Sequence, residues 1–206
     1  MGCVLVHGLG QTAESWKAVA SCLNRTDIVC PELYRLADGK PLSYDRLYRS
    51  FSDYCGGLED TIDLCGLSLG GVLALHYASE YPEKVRSLVL AAAQYKMPKR
   101  LLQFQNLMFS IMSENAFAQT GLRKQEMLAL CHSMEELDLS KALPHISCPT
   151  LVVCGRKDGA NRKAARQLAS QIPSAQLIII PGAGHEVNTT APVYFAELLC
   201  TFYKAL

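Results

Sequence analysis

The chain has 206 residues, 50% apolar and 19% charged, enough for one globular domain with a substantial core. Twenty basic residues against 19 acidic ones leave a formal net charge of +1, so there is neither a basic stripe for nucleic acid nor the charge block of a disordered tail. No apolar run reaches the length of a membrane span, and the 9 cysteines form no CxxC pair, so a reduced, cytoplasmic protein without a structural zinc is expected.

Met1-Gly2-Cys3 opens like a myristoylation start, but Val6 stands where that signal needs Ser or Thr. The first strand pattern is CVLVHG (3–8), followed by His7-Gly8-Leu9-Gly10 and a helical stretch over 13–24. Two meanings compete for this loop. In a serine hydrolase it supplies one N–H of an oxyanion hole, here that of Leu9. Yet Gly8-Leu9-Gly10-Gln11-Thr12-Ala13 also fits the dinucleotide fingerprint, with Glu32 about twenty residues on.

A short run, DIVCPEL (27–33), and a helix over 44–55 precede TIDLCGLSLGGVLALHYA (61–78). Here an apolar strand pattern, IDLCGLS, stops at Ser68 and a helix pattern over 69–80 begins at once. Gly66-Leu67-Ser68-Leu69-Gly70 matches G-x-S-x-G in the strand-turn-helix setting of a nucleophile elbow. The helix start there would aim its dipole and the Leu69 N–H at a reacting centre. A turn-capping serine is the plainer reading.

After VRSLVLAAA (85–93) no strand pattern returns until TLVVCG (150–155). The intervening residues 94–143 read as a helical cap inserted between two core segments, 1–93 and 144–206. Within it, helices are expected over 100–112 and 123–134. The first is apolar nearly all round, so one side should pack and the other line a pocket, through Phe104, Met108 and Met112 beside Leu9. Lys99 and Arg100 are the cations at its entrance.

Asp158 follows the TLVVCG strand in Gly155-Arg156-Lys157-Asp158-Gly159, where an Asp-Gly turn alone would suffice. A helix over 160–172 and the strand AQLIII (175–180) lead to Pro181-Gly182-Ala183-Gly184-His185, a loop before a final helix over 190–204. Strands alternating with helices imply an open, mostly parallel sheet of about six strands covered on both faces. Ser68, Asp158 and His185 each follow a strand end, in the order Ser…Asp…His. That joint order decides for the elbow.

On these four motifs the chain resembles the α/β-hydrolase superfamily, particularly small bacterial esterase-like members with a helical cap. The resemblance implies Ser68 as nucleophile, His185 as base and then acid, Asp158 as its orienter, and Leu9 and Leu69 N–H as oxyanion donors. It implies no cofactor and no metal, and a small apolar ester or acyl substrate. One departure is that family members usually begin with two further strands, whereas this chain begins at the strand leading to the His-Gly loop. By family order DIVCPEL then becomes a sheet edge, which suits Asp27, Pro31 and Glu32. Carboxylic esters or thioesters are the expected substrates; a lyase, a perhydrolase or a ligand-sensing protein would use the same residues, and a dinucleotide-binding oxidoreductase is the remaining class.

Overall fold

In the computed structural model, which describes residues 2–37, 42–118 and 120–206 (the side chains of residues 100, 101 and 103–105 excepted), the apolar runs become parallel strands. They are β1 (Gly2–Val6), β2 (Ile28–Val29), β3 (Ile62–Leu67), β4 (Val85–Ala91), β5 (Thr150–Gly155) and β6 (Ala175–Ile180). The helices are α1 (Lys17–Cys22), α2 (Leu33–Leu36), α3 (Tyr44–Gly56), α4 (Leu69–Glu80), α5 (Lys99–Ile111), α6 (Lys124–Ser133), α7 (Arg162–Gln171), α8 (Val187–Thr190) and α9 (Pro192–Lys204).

The strand order is β2-β1-β3-β4-β5-β6, an open sheet with β2 at one edge. The chain steps one way from β1 to β2, then crosses back past β1 to β3, so the winding reverses between β1 and β3. Open α/β sheets bind ligands at such a switch, outside the carboxyl ends of the strands. Strand β2 is shorter than DIVCPEL because Pro31 has no N–H to donate and the chain enters α2 at Leu33.

Alternate strand residues feed two cores, which explains runs that are apolar throughout. Val4, Val6, Leu64, Leu88, Leu90 and Val152 face one side, against Leu47 and Phe51 of α3, Leu73 and Tyr77 of α4, and Leu168 of α7. Cys3, Leu5, Cys65, Leu67, Val89 and Val153 face the other, against Trp16, Val19, Phe195 and Leu199. Helix α3 illustrates the fit: Ser43 accepts the Arg46 N–H at its start, and Tyr44, Leu47, Tyr48, Phe51 and Cys55 are buried at helical spacing.

Between β4 and β5 the chain leaves and rejoins the sheet through a narrow neck. Leu139 N–H donates to Tyr95 O at 2.7 Å, and Met97 N–H to Leu137 O at 3.0 Å. Beyond it α5 and α6 pack on each other, and Leu102, Phe117, Met127, Leu130 and Met134 share a continuous core with α4. Among the described residues no helix is long and apolar enough to cross a membrane.

Candidate active site

Ser68 occupies the corner between β3 and α4 with φ 52° and ψ −113°. A side chain in such a conformation costs roughly 1–3 kcal/mol and persists only where the surroundings over-determine it. They do here: Ser68 N–H donates to Ala91 O at 2.8 Å, and Ser68 O accepts the Val72 N–H at 3.0 Å. The flanking glycines are required by contact. A Cβ on Gly66 would lie 2.2 Å from Gly70 O, and one on Gly70 would lie 2.2 Å from Val6 O. Strand, corner and helix therefore pack backbone to backbone.

The loop after β1 is braced on every side except one. His7, fully buried, accepts the Leu33 N–H on Nε2 at 3.2 Å and turns Nδ1 to Gly8 O at 2.9 Å. Both nitrogens are thereby used with a neutral ring, and burial lowers the His7 pKa further from its ordinary value. Gly8 N–H donates to Gln11 Oε1 at 3.2 Å, and Gly10 N–H to the Tyr34 hydroxyl at 3.1 Å. Between them the Leu9 N–H has no internal partner among the described residues, nor has the Leu69 N–H at the first turn of α4. Glu32, the acid of the dinucleotide fingerprint, instead accepts the Ala13 N–H at 3.1 Å.

Asp158 and His185 meet because their loops interlock. A Cβ on Gly155 would lie 2.1 Å from Gly184 O, and Lys157 N–H donates to Ala183 O at 2.9 Å. His185 Nδ1 then lies 2.8 Å from Asp158 Oδ2. Burial raises the Asp158 pKa, but hydrogen bonds from His185 and Asn161 outweigh it and hold the carboxyl below its ordinary value. An ionised Asp158 takes the Nδ1–H and leaves the imidazole lone pair on Nε2.

Asn161 was not anticipated from the sequence. Its Nδ2 donates to both Asp158 oxygens, at 2.9 and 2.8 Å, and its Oδ1 accepts from Gln94 Nε2 at 2.7 Å. Asn188 was missed as well: fully buried, it bonds Gln11 and Ser15 and so ties the chain just after His185 to the Leu9 loop. No sequence signal marks Asn188. An Asn at the head of a helix reads as a cap, although the Asn161 side chain caps nothing here.

Ser68, His185, Leu9, Leu69, Asn161 and Gln94 line one pocket of about 130 Å³, and its remaining walls are Val72, Met97, Pro98, Leu102, Cys131 and Met134. No hydrogen bond joins Ser68 to His185 among the described residues; such bonds are often long before substrate binds. The pocket-facing side of α5 departs from expectation. Leu102 lines the pocket, whereas Met108 and Met112 are exposed and outside its described lining, and the Phe104 side chain lies outside the described residues. Helical periodicity had grouped the apolar residues, but Phe109 packs edge-on to Phe117, which turns Leu107, Met108 and Ile111 outward. Lys99 pairs with Glu136 at 2.5 Å and is not among the residues that line the pocket.

Residues 3–198 match the alpha/beta hydrolase family. The chain belongs to that family. This α/β hydrolase is 30% identical to the polyketide synthase ThaQ of Burkholderia thailandensis over 97% of its own length, but spans only 12% of that synthase. It is 25% identical to the pimeloyl-[acyl-carrier protein] methyl ester esterase of Vibrio vulnificus, over 97% of this chain and 92% of the esterase. In fold it is similar to the enol-lactonase from Burkholderia xenovorans, with a TM-score of 0.84, 17% identity, and coverage of 98% of this chain and 91% of that one.

Proposed function

We propose that this α/β hydrolase is a serine esterase that cleaves carboxylic esters, thioesters included, of short apolar acyl groups without a cofactor. One observation carries the reading: His185, paired with Asp158 behind it, shares a small apolar pocket with a strained serine and with Leu9 and Leu69, whose N–H groups have no partner among the described residues. In this mechanism Ser68 Oγ attacks the acyl carbonyl carbon and passes its proton to His185 Nε2. Leu9 and Leu69 N–H donate to the oxyanion as charge develops there. The tetrahedral intermediate collapses, His185 returns the proton to the leaving alcohol or thiol, and an acyl-Ser68 ester remains. Water, deprotonated by the same histidine, repeats the sequence and frees the acid.

The pocket sets the acyl size. A cavity of roughly 150 Å³ holds benzene, so walls of Val72, Leu102 and Met134 around about 130 Å³ suit an acyl group no bulkier than that ring. Segment 94–143 acts in this reading as a cap, with Met97, Pro98 and Leu102 closing the pocket. The name of the Vibrio vulnificus relative, a methyl ester esterase, supports ester cleavage.

The test is fluorophosphonate labelling together with a homologous series of p-nitrophenyl esters. Ser68→Ala should lose the label and several orders of magnitude in kcat, His185→Ala should match it, and Asp158→Asn should be somewhat milder. Near-normal turnover by purified Ser68→Ala would refute the elbow reading. Catalytic efficiency should rise with acyl length up to the pocket's capacity and then fall; a flat series would refute the acyl assignment.

A further inference from the structure

A second cleft, of about 290 Å³, adjoins the pocket and shares Gln94, Met97 and Pro98 with it. Its far wall is one face of the α7 segment, where Ala160, Lys163, Ala164 and Gln167 recur at helical spacing. The two alanines keep the floor low. Lys163 stands in the wall, exposed, and makes no ion pair or hydrogen bond among the described residues.

Two lysines line this cleft, Lys96 and Lys163, and the segment that carries Lys163 is rich in cations. Arg156, Lys157, Arg162, Lys163 and Arg166 crowd a stretch of eleven residues, and among the described residues none is in a salt bridge. The stretch's single carboxylate, Asp158, is committed to His185 and Asn161. Across the cleft, Lys96 is neutralised by Asp138 at 2.7 Å. The unpaired charge of the cleft wall is therefore that of Lys163, on the α7 side.

We infer that this cleft receives an anionic leaving group, so that the substrate joins a short apolar acyl half to an alcohol or thiol half bearing a phosphate or carboxylate. The inference rests on the proposed esterase reading. An acyl group seated against Val72 and Leu102 leaves its alcohol half to run past Gln94 and Pro98, where the cleft opens and Lys163 meets the anion. Apolar walls and the unpaired Lys163 thus serve opposite ends of one substrate.

Three esters of one short acid test this, their alcohols matched in length but neutral, carboxylate-bearing or phosphate-bearing. The anionic esters should exceed the neutral one in kcat/KM by about fivefold, as an exposed, unpaired cation allows. The advantage should shrink in high salt. Lys163→Glu should abolish it and Lys163→Arg retain it, with turnover of the neutral ester unchanged in both. The stronger of the two anionic arms identifies the anion. Equal efficiency of all three esters, or an advantage that survives Lys163→Glu, overturns the inference. Absence of turnover on any ester instead counts against the esterase reading, and the cleft is then tested by calorimetric binding of the phosphate- and carboxylate-bearing alcohols alone. Weaker binding by Lys163→Glu supports it, and equal or undetectable binding overturns it.

Discussion

Asn161 donates to both oxygens of Asp158 while Gln94 fixes its own orientation, so three side chains position one imidazole. Hydrogen bonds to a charged group contribute roughly 1.5–3 kcal/mol each. Asn161→Ala should therefore let Asp158 swing and lower kcat by about tenfold or more, with KM little changed, in steady-state assays on a neutral ester. Asn161→Asp should be worse. It sets a second carboxylate against Asp158, like charges raise the pKa of one of the pair, and the protonated form cannot hold the imidazolium. The loss should deepen as pH falls from 8 to 6, and a pH profile parallel to that of Asn161→Ala would reject this role for Asn161. The candidate site was only partly legible in the sequence. Ser68, Asp158 and His185 stand out because each follows a strand end in a known order. Asn161 does not, because a helix-capping Asn and an Asp-holding Asn look alike until the fold turns the side chain.

At the level of elements, glycines decide how closely the site loops approach. The His185 loop lies so near Gly155 that a Cβ there would sit 2.1 Å from Gly184 O, whereas a Cβ on Gly159 would meet nothing within 4 Å. Gly155→Ala should destabilise by about 1–3 kcal/mol, the usual range for overpacking, and should displace His185 so that kcat falls beyond any loss of folded protein. Gly159→Ala, four residues away, should be neutral or stabilise by up to about 1 kcal/mol through the unfolded chain. Urea midpoints and kcat on the same preparations check both, and matching effects of the two variants would contradict the contact argument. Six strands were legible because parallel strands are apolar on both faces; the edge position of β2 followed from the family resemblance, and Pro31 with its charged neighbours suits it. The pocket-facing side of α5 was not. Periodicity tells which residues share a face, but only the Phe109–Phe117 contact tells which face turns inward.

Across the whole molecule, β3 links two ends with different duties: Ser68 follows its last residue, and Asp63 lies near its first. Asp63 is fully buried and accepts from Arg25 at 2.6 Å, Arg86 at 2.9 Å and Ser87 at 2.6 Å. Arg25 also binds Asp27 and lies 5.2 Å from the centre of the Tyr203 ring, so the cluster ties the β1–β2 connection, β3, β4 and α9 together. Removing one partner of a buried ion pair typically costs about 3–5 kcal/mol. Asp63→Asn should accordingly lower Tm by roughly 6–20 °C, given about 2–4 °C per kcal/mol for a chain of this size. Activity per folded molecule should hold, since the proposed nucleophile Ser68 follows the opposite end of the strand. Acid stability gives the sharper check. Burial raises the Asp63 pKa, but the bonds from Arg86, Ser87 and Arg25 bring it below the ordinary 3.8. A carboxyl depressed in the folded state stabilises fully above its unfolded pKa, and that stability is lost as pH falls through the folded one. Wild-type stability should thus decline below about pH 4, and Asp63→Asn should show a shallower decline there, the Asp158 contribution being common to both. Equal acid slopes for the two proteins, measured by urea unfolding from pH 6 to pH 3, would remove Asp63 as the group that fastens this end of the sheet.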